Sequence, residues 1–229
     1  MLPFLLVIIL GRSFGAFGQA IGFDYLTFVF TGVYGQTLFQ SAALGLVSLL
    51  EDRDSDFSQE LFVAPVSRYS ILVGKILGEA VVALVQGVGI ITFGLVVGVR
   101  LPLSALPGLL LVGAVVCLYG GAFGLLTLSA VRSRRLAEQL FGFVFLSQFL
   151  LAGVFNPVDS LPPYLEVLSR IAPMTYAVDL VRAVFYVGNP DRPRVVVHGL
   201  GVDLPVVSAL FVVFLVVGTA LFVRNERNR

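Results

Sequence analysis

Charged side chains are scarce in this chain. Asp, Glu, Lys and Arg make up 13% of its 229 residues, against 58% hydrophobic residues. A soluble domain carries about a quarter charged residues, so too little polar surface remains to coat a globule in water. Composition alone points to a membrane protein. The net charge of +1 gives no basic surface for a nucleic acid. The single cysteine, Cys117, lies in an apolar run and has no intrachain partner for a disulfide. The single histidine, His198, has no cysteine or second histidine with which to build a metal site, so no metal is expected. Ser129 and Ser133 have no base beside them, which leaves nucleophilic catalysis unsupported. A P-loop is also missing: near Gly74-Lys75, Ile76 stands where Ser or Thr is needed and Tyr69 where the first glycine is needed. Asp52, Asp54 and Asp56 have calcium-loop spacing, but Phe57 occupies the required glycine position and Val63 that of the bidentate glutamate. No basic region precedes the apolar stretch Met1 to Leu10, which argues against a cleaved signal peptide.

Long apolar runs are abundant instead. A bilayer core of about 30 Å needs roughly 20 apolar residues in a helix. Five segments qualify: Leu26 to Leu50, Ile71 to Val99, Ala105 to Val131, Leu136 to Phe155, and Leu204 to Val223. Met1 to Leu10 is half a span, and residues 1–22 read as a truncated first span with its external loop. The runs are continuous rather than alternating, which excludes barrel strands. Arg132, Arg134 and Arg135 follow one span, and Arg224, Arg227 and Arg229 follow the last. Both ends are therefore expected in the cytoplasm. Arg53, Arg68 and Lys75 flank a further cytoplasmic connection. Small residues recur at four-residue spacing (Gly74 and Gly78, Gly94 and Gly98, Gly120 and Gly124), which predicts close helix packing within or between subunits.

Residues 51–69 read EDRDSDFSQELFVAPVSRY. Phe57, Leu61 and Phe62 give a short helix one apolar face, opposite an acidic one. Pro65 ends that helix and Ser67 can cap the next. The expected product is an amphipathic helix on the inner membrane surface, held at both ends by spans. Residues 156–187 are the external counterpart. Pro157, Pro162, Pro163 and Pro173 break them into short pieces. Leu161, Leu165 and Leu168 form one apolar face; Tyr176, Leu180 and Val184 form another. Asp179 and Arg182, three apart, are spaced to pair. Two amphipathic helices joined at Ala172-Pro173 are expected in the outer leaflet.

These two stretches resemble the ABC-2 type permeases, in particular the daunorubicin-resistance and multidrug-export branch. The inner match is Asp52-Arg53-Asp54, then Phe57, then Gln59 to Arg68 (QELFVAPVSR), then Gly74-Lys75. Asp56 departs from the family, which carries glycine there. The outer match is Gly153 to Pro157, Leu161-Pro162, and Pro173 to Arg182 (PMTYAVDLVR). The resemblance runs from about Tyr25 to Arg224. It implies an all-α polytopic membrane protein with the ABC-2 permease fold, a single transmembrane domain over residues 1–229. That fold has five full transmembrane helices plus a truncated first span, a cytoplasmic coupling helix at 51–69, external re-entrant helices at 156–187, and a last span at 204–223. Family members have a cytoplasmic N-terminal segment and a full first span, so the short beginning implies a misassigned start or a truncation.

By the same resemblance, Asp52, Arg53, Asp54, Phe57, Glu60, Leu61, Pro65, Val66, Ser67 and Arg68 belong to the coupling segment that docks on a separate ATPase. Pro157, Pro162, Pro173, Tyr176, Asp179 and Arg182 belong to the external re-entrant segment. Lys75 and Glu79 are spaced for an ion pair anchoring a span at the inner surface. Gln36, Gln40, Gln86 and Gln148 are intramembrane polar residues, candidates for the substrate pathway or for interhelical hydrogen bonds. The implied protein is a non-catalytic permease in the cell membrane. It pairs with a second permease chain and with membrane lipid, and its partner ATPase binds ATP and Mg. The expected cargo is amphipathic, drug-like or lipid-like. Export of a polysaccharide or lipid-linked glycan is a variant within the family. An ion-gradient-driven secondary transporter is the alternative of another class. It calls for ionisable residues near the bilayer midplane, and Leu26 to Leu50 and Ala105 to Val131 carry no charged residue.

Overall fold

The computed structural model describes residues 23–49, 68–131 and 133–227, together with residues 7 and 9. All the regular structure among them is helical: α1 (Tyr25–Gly45), α2 (Arg68–Val97), α3 (Leu106–Ser129), α4 (Arg134–Leu151), α5 (Pro163–Ile171), α6 (Pro173–Phe185), α7 (Arg192–Val195) and α8 (Leu200–Arg227), with single 3₁₀ turns before α3 and α5.

Helix α1 is the centre of the bundle. Asp24 caps it, accepting from the Leu26 N–H (3.1 Å) and the Thr27 hydroxyl (2.7 Å). Its apolar residues lie on all sides, and a helix of that kind is stable only when surrounded. It packs on α2, α3 and α6. Helix α3 completes the core between α1, α2 and α8. Gly120 and Gly124 let it touch α1: a Cβ on either would collide with the backbone of Phe39 or Ala43. That backbone approach supplies the dispersion contacts that hold helices together in lipid. The other two glycine pairs do different things. Gly98 ends α2 in a left-handed turn (φ 98°), its N–H and that of Val99 bonding the Gly94 carbonyl at 3.1 and 2.9 Å. Gly74 and Gly78 face open space.

The outer faces are apolar. Val73, Leu77, Val81 and Val85 on α2, Phe143 and Leu146 on α4, and Val212, Val213 and Val216 on α8 are all exposed. In water such patches mark binding surfaces; on helices of this length they suit hydrocarbon. Three helical segments are long and apolar enough to cross a membrane: Tyr69–Val97, Leu103–Ser129 and Arg192–Asn225. The expected spans at Leu26 to Leu50 and Leu136 to Phe155 are helical but differ in kind. Helix α1 carries Thr27, Thr31, Gln36 and Gln40, and buries most of its surface in protein. Helix α4 starts with Arg134 and Arg135, and Arg134 pairs with Glu138 at 2.8 Å.

Asn225 of α8 donates to the Ser129 carbonyl of α3 at 2.8 Å, so the end of α3 and the end of α8, where Arg224 stands, lie at one end of the bundle. At the other end, Asp24, Arg100 and the 185–191 turn line a common pocket of about 450 Å³.

The external stretch departs from expectation in two ways. Helix α5 buries only Ser169 and turns Tyr164, Val167, Leu168 and Ile171 outward, so apolar side chains beyond the expected Leu161–Leu165–Leu168 face also lie on its outer side. Helix α6 is no surface helix. Ten of its residues are buried, among them Asp179 and Arg182, between α1, α3 and α8. A polar pair within the bundle must then be satisfied by tertiary partners rather than by water.

Candidate functional site

Helix α6 organises the outer end of the molecule. Pro173 opens it, since a helix's first residue needs no N–H bond and proline has the right φ. Ala172, at the N-cap, provides no side-chain acceptor. The buried Met174 N–H, which has no partner within the helix, donates instead to Gln148 Oε1 of α4, at 2.9 Å. Gln148 is thus a cap for α6, away from the other candidate pathway residues.

Asp179 and Arg182 do not pair with one another. Arg182 points toward α1 and the turn after α4. Its Nη2 donates to the Gly153 carbonyl at 2.8 Å, with Phe28 and Val154 carbonyls at 3.4 Å. Its guanidinium carbon sits 3.7 Å from the Phe28 ring centroid, a cation–π contact out of water. Burial lowers its pKa to about 10, which leaves it charged at neutral pH. Two glycines make the room: Gly153 adopts φ 70°, and a Cβ on Gly32 would stand 2.7 Å from the Val154 carbonyl oxygen.

Asp179 points the opposite way, toward the start of α8. It accepts from three successive backbone N–H groups: Val197 (2.8 Å), His198 (2.7 Å) and Gly199 (3.3 Å). Tyr176 stacks on the His198 ring (5.5 Å between centroids, 17° between planes), and its hydroxyl donates to the Arg170 carbonyl of α5 at 2.6 Å. The α6 residues therefore hold α1, the α4 exit, α5 and the start of α8 in one junction. Pro157 and Pro162 flank it. Each opens a helical turn, the Pro157 carbonyl accepting from Ser160 N–H at 3.0 Å and that of Pro162 from Leu165 N–H at 2.9 Å.

A second polar feature lies at the far end of α1. Thr37, Gln40, Ser41, Gly45, Glu79 and Gln86 line an open pocket of about 430 Å³ between α1 and α2. Gln36 Nε2 donates to Gln40 Oε1 at 3.2 Å. Three of the four candidate pathway glutamines thus gather at or beside this pocket. Lys75 and Glu79 pair at 3.3 Å, as their spacing predicts. The Glu79 carboxylate lies against the Cα of Gly45, in the space a Cβ would take.

Among the coupling-segment candidates, Asp52, Arg53, Asp54, Phe57, Glu60, Leu61, Pro65, Val66 and Ser67 lie outside the described residues, and Arg68 is the first residue of α2. Sequence reasoning missed the grouping of Asp179 with His198 and Asp203. His198 and Asp203 are five apart at the head of the last span, a weak local signal, and nothing local ties them to Asp179.

Residues 1–186 match the profile of the ABC-2 type transporter family. A chain from Cyanophora paradoxa, provisionally named transport permease ycf38, is 28% identical over 168 residues, which cover 71% of this chain and 57% of that relative. The chain spans little more than half the length of that relative. An apolar-faced helical bundle with long membrane-crossing helices, and a family match over most of its length, together define it: the chain is a multi-pass membrane protein and belongs to the ABC-2 type transporter family.

Proposed function

We propose that this chain is the transmembrane permease subunit of an ATP-binding cassette exporter, moving an amphipathic, drug-like or lipid-like molecule out of the cytoplasm. Five full spans cross the cell membrane, preceded by a truncated first span, and the C-terminus lies inside. Residues 51–69 form the coupling helix, and Glu60, Leu61, Pro65 and Arg68 contact a separate ATPase that binds ATP and Mg. Two permease chains pack side by side. ATP closes the ATPase pair, the coupling helices move, and the interface between permeases alternates its access. A nearly complete switch needs ATP to favour one state by about 5 kcal/mol. The chain itself catalyses nothing in this scheme.

The observation that supports this reading is the α1–α2 pocket. Its polar lining of Thr37, Gln40, Ser41, Glu79 and Gln86 stands between two helices made mostly of apolar residues. Helices that only support one another in lipid gain nothing from such an opening, whereas intramembrane polar groups around a cavity mark transport routes. The pocket also lies where α1 leads into residues 51–69 and α2 leads out of them.

The test is co-purification from the native membrane. A soluble ATPase should accompany the wild type and be lost from the double variant Leu61→Asp, Arg68→Glu. If no ATPase accompanies the wild type, the exporter loses its energy source and a gradient-driven role replaces it.

A further inference from the structure

Asp179, His198 and Asp203 converge at the start of α8. One ligand atom from each lies within 4.8 Å of the other two. His198 Nδ1 is 3.5 Å from Asp203 Oδ1 and 3.8 Å from Asp179 Oδ2. Neither distance is a hydrogen bond. Both are near the spacing of neighbouring ligands around a tetrahedral zinc ion, about 3.3–3.5 Å for bonds of about 2.0–2.1 Å.

The strongest observation concerns Asp203. Its side chain is fully buried, at 0% exposure, and no well-formed hydrogen bond reaches either carboxylate oxygen, the Gly199 N–H and the Asp179 carboxylate being among the polar groups closest to it. His198 Nδ1, which faces it, is likewise buried without a partner. Buried polar groups of native proteins are almost always satisfied, and a carboxylate more so than any. Arg182 does not answer the charge, since it points to the other side of α6 and its Nη2 donates to the carbonyls of Gly153, Val154 and Phe28. Two carboxylates and one imidazole nitrogen therefore converge within 4.8 Å of one another.

The surroundings are those of a metal site. The N–H groups of Val197, His198 and Gly199 fix the Asp179 carboxylate, and the Tyr176 ring fixes the plane of the imidazole. Such outer partners orient ligands and tune their basicity. His198 is 19% exposed, which provides a route in and a side for a water ligand.

We propose that Asp179, His198 and Asp203 bind one divalent transition-metal cation. A nitrogen donor with two carboxylates, in a space this small, suits zinc; calcium demands six or more oxygens. The cation ties α6 to the start of α8 and to the 196–199 turn.

Tag-free full-length protein, purified in detergent and stripped with a chelator, is titrated with Co²⁺ as a visible-absorption probe and then with Zn²⁺. One Co²⁺ per chain is expected, with the intense ligand-field band of a four- or five-coordinate site, displaced by Zn²⁺. His198→Ala and Asp203→Asn each weaken affinity at least tenfold. Zn²⁺ raises the thermal midpoint of the wild type, by mass action on the folded state, and leaves both variants unmoved. Asp203→Asn retains size and shape, and His198→Gln serves where His198→Ala does not fold. A wild type that shows no such band, or variants that keep it, overturns the proposal; the two carboxylates then share a proton instead, and Asp203→Asn matches the wild type in stability with and without metal.

Discussion

Arg182 and Phe28 stand face to face, buried near the outer end of the bundle, the guanidinium carbon 3.7 Å from the ring centroid. Few positions in this bundle carry so much at once. The same side chain closes the turn after α4 through the Gly153 carbonyl.

Replacing Arg182 tests that reading. Arg182→Ala strands buried carbonyls and leaves a large cavity, and should cost about 3 kcal/mol or more of stability. Arg182→Lys keeps the charge but not the planar fork, and should cost less, roughly 1–2 kcal/mol. Thermal unfolding in detergent gives the order. An alanine variant as stable as the wild type would show that the carbonyls find other donors.

The glycine pairs give an internal contrast. A Cβ at Gly120 or Gly124 meets the backbone of Phe39 or Ala43, which cannot step aside. Gly120→Ala and Gly124→Ala should each destabilise by about 1–3 kcal/mol through overpacking. Gly74 and Gly78 point into open space. There alanine should be neutral or gain up to about 1 kcal/mol of helix propensity. If Gly74→Ala or Gly78→Ala instead lowers stability in the purified oligomer, that stripe is a contact between copies. Melting curves of the four variants in one detergent decide between these outcomes.

The two glycine outcomes also show what was legible in the sequence. The existence of long apolar helices was, because a bilayer imposes length and hydrophobicity locally. So was the Lys75–Glu79 pair, a neighbour relation between residues four apart on one half-buried helix face. The Asp179–Arg182 pair was predicted by the same spacing rule and does not form. That rule describes a helix surrounded by water, whereas α6 is surrounded by protein. Each side chain then answers to the partner its own side of the helix meets: three N–H groups for Asp179, three carbonyls for Arg182. The burial of α6 itself was hidden for a related reason. Its prolines and charges read as an interfacial helix, and only the packing of α1, α3 and α8 around it reveals otherwise.

Gln148 separates a structural role from a transport role. Its Oε1 caps α6 at the Met174 N–H. Gln148→Ala should cost about 1–2 kcal/mol, the value of a lost cap in a buried setting. Gln148→Glu keeps an acceptor and should cost less. Both should leave the transport rate per folded molecule unchanged. A loss of transport with an unchanged melting temperature would return Gln148 to the substrate route.

Gly45 and Glu79 make the corresponding test at the other end. The Glu79 carboxylate rests where a Gly45 side chain would be, at the edge of the α1–α2 pocket. What a new side chain meets there is the tip of a flexible chain, which can swing away, so Gly45→Val should change stability by less than about 1 kcal/mol. It should nevertheless fill the pocket, in part by its own methyl groups and in part by the displaced carboxylate. If the pocket is the inner end of the transport route, substrate-stimulated ATP hydrolysis by the assembled complex should fall several-fold. Glu79→Ala in the same background should restore much of it, because the two changes share one space and are not additive. Basal hydrolysis should be the same in all three proteins, since Gly45 and Glu79 lie on the spans rather than in residues 51–69. Unaltered stimulation in Gly45→Val would move the route elsewhere, and a matching fall in basal hydrolysis would mean that the variant has disturbed ATPase docking instead.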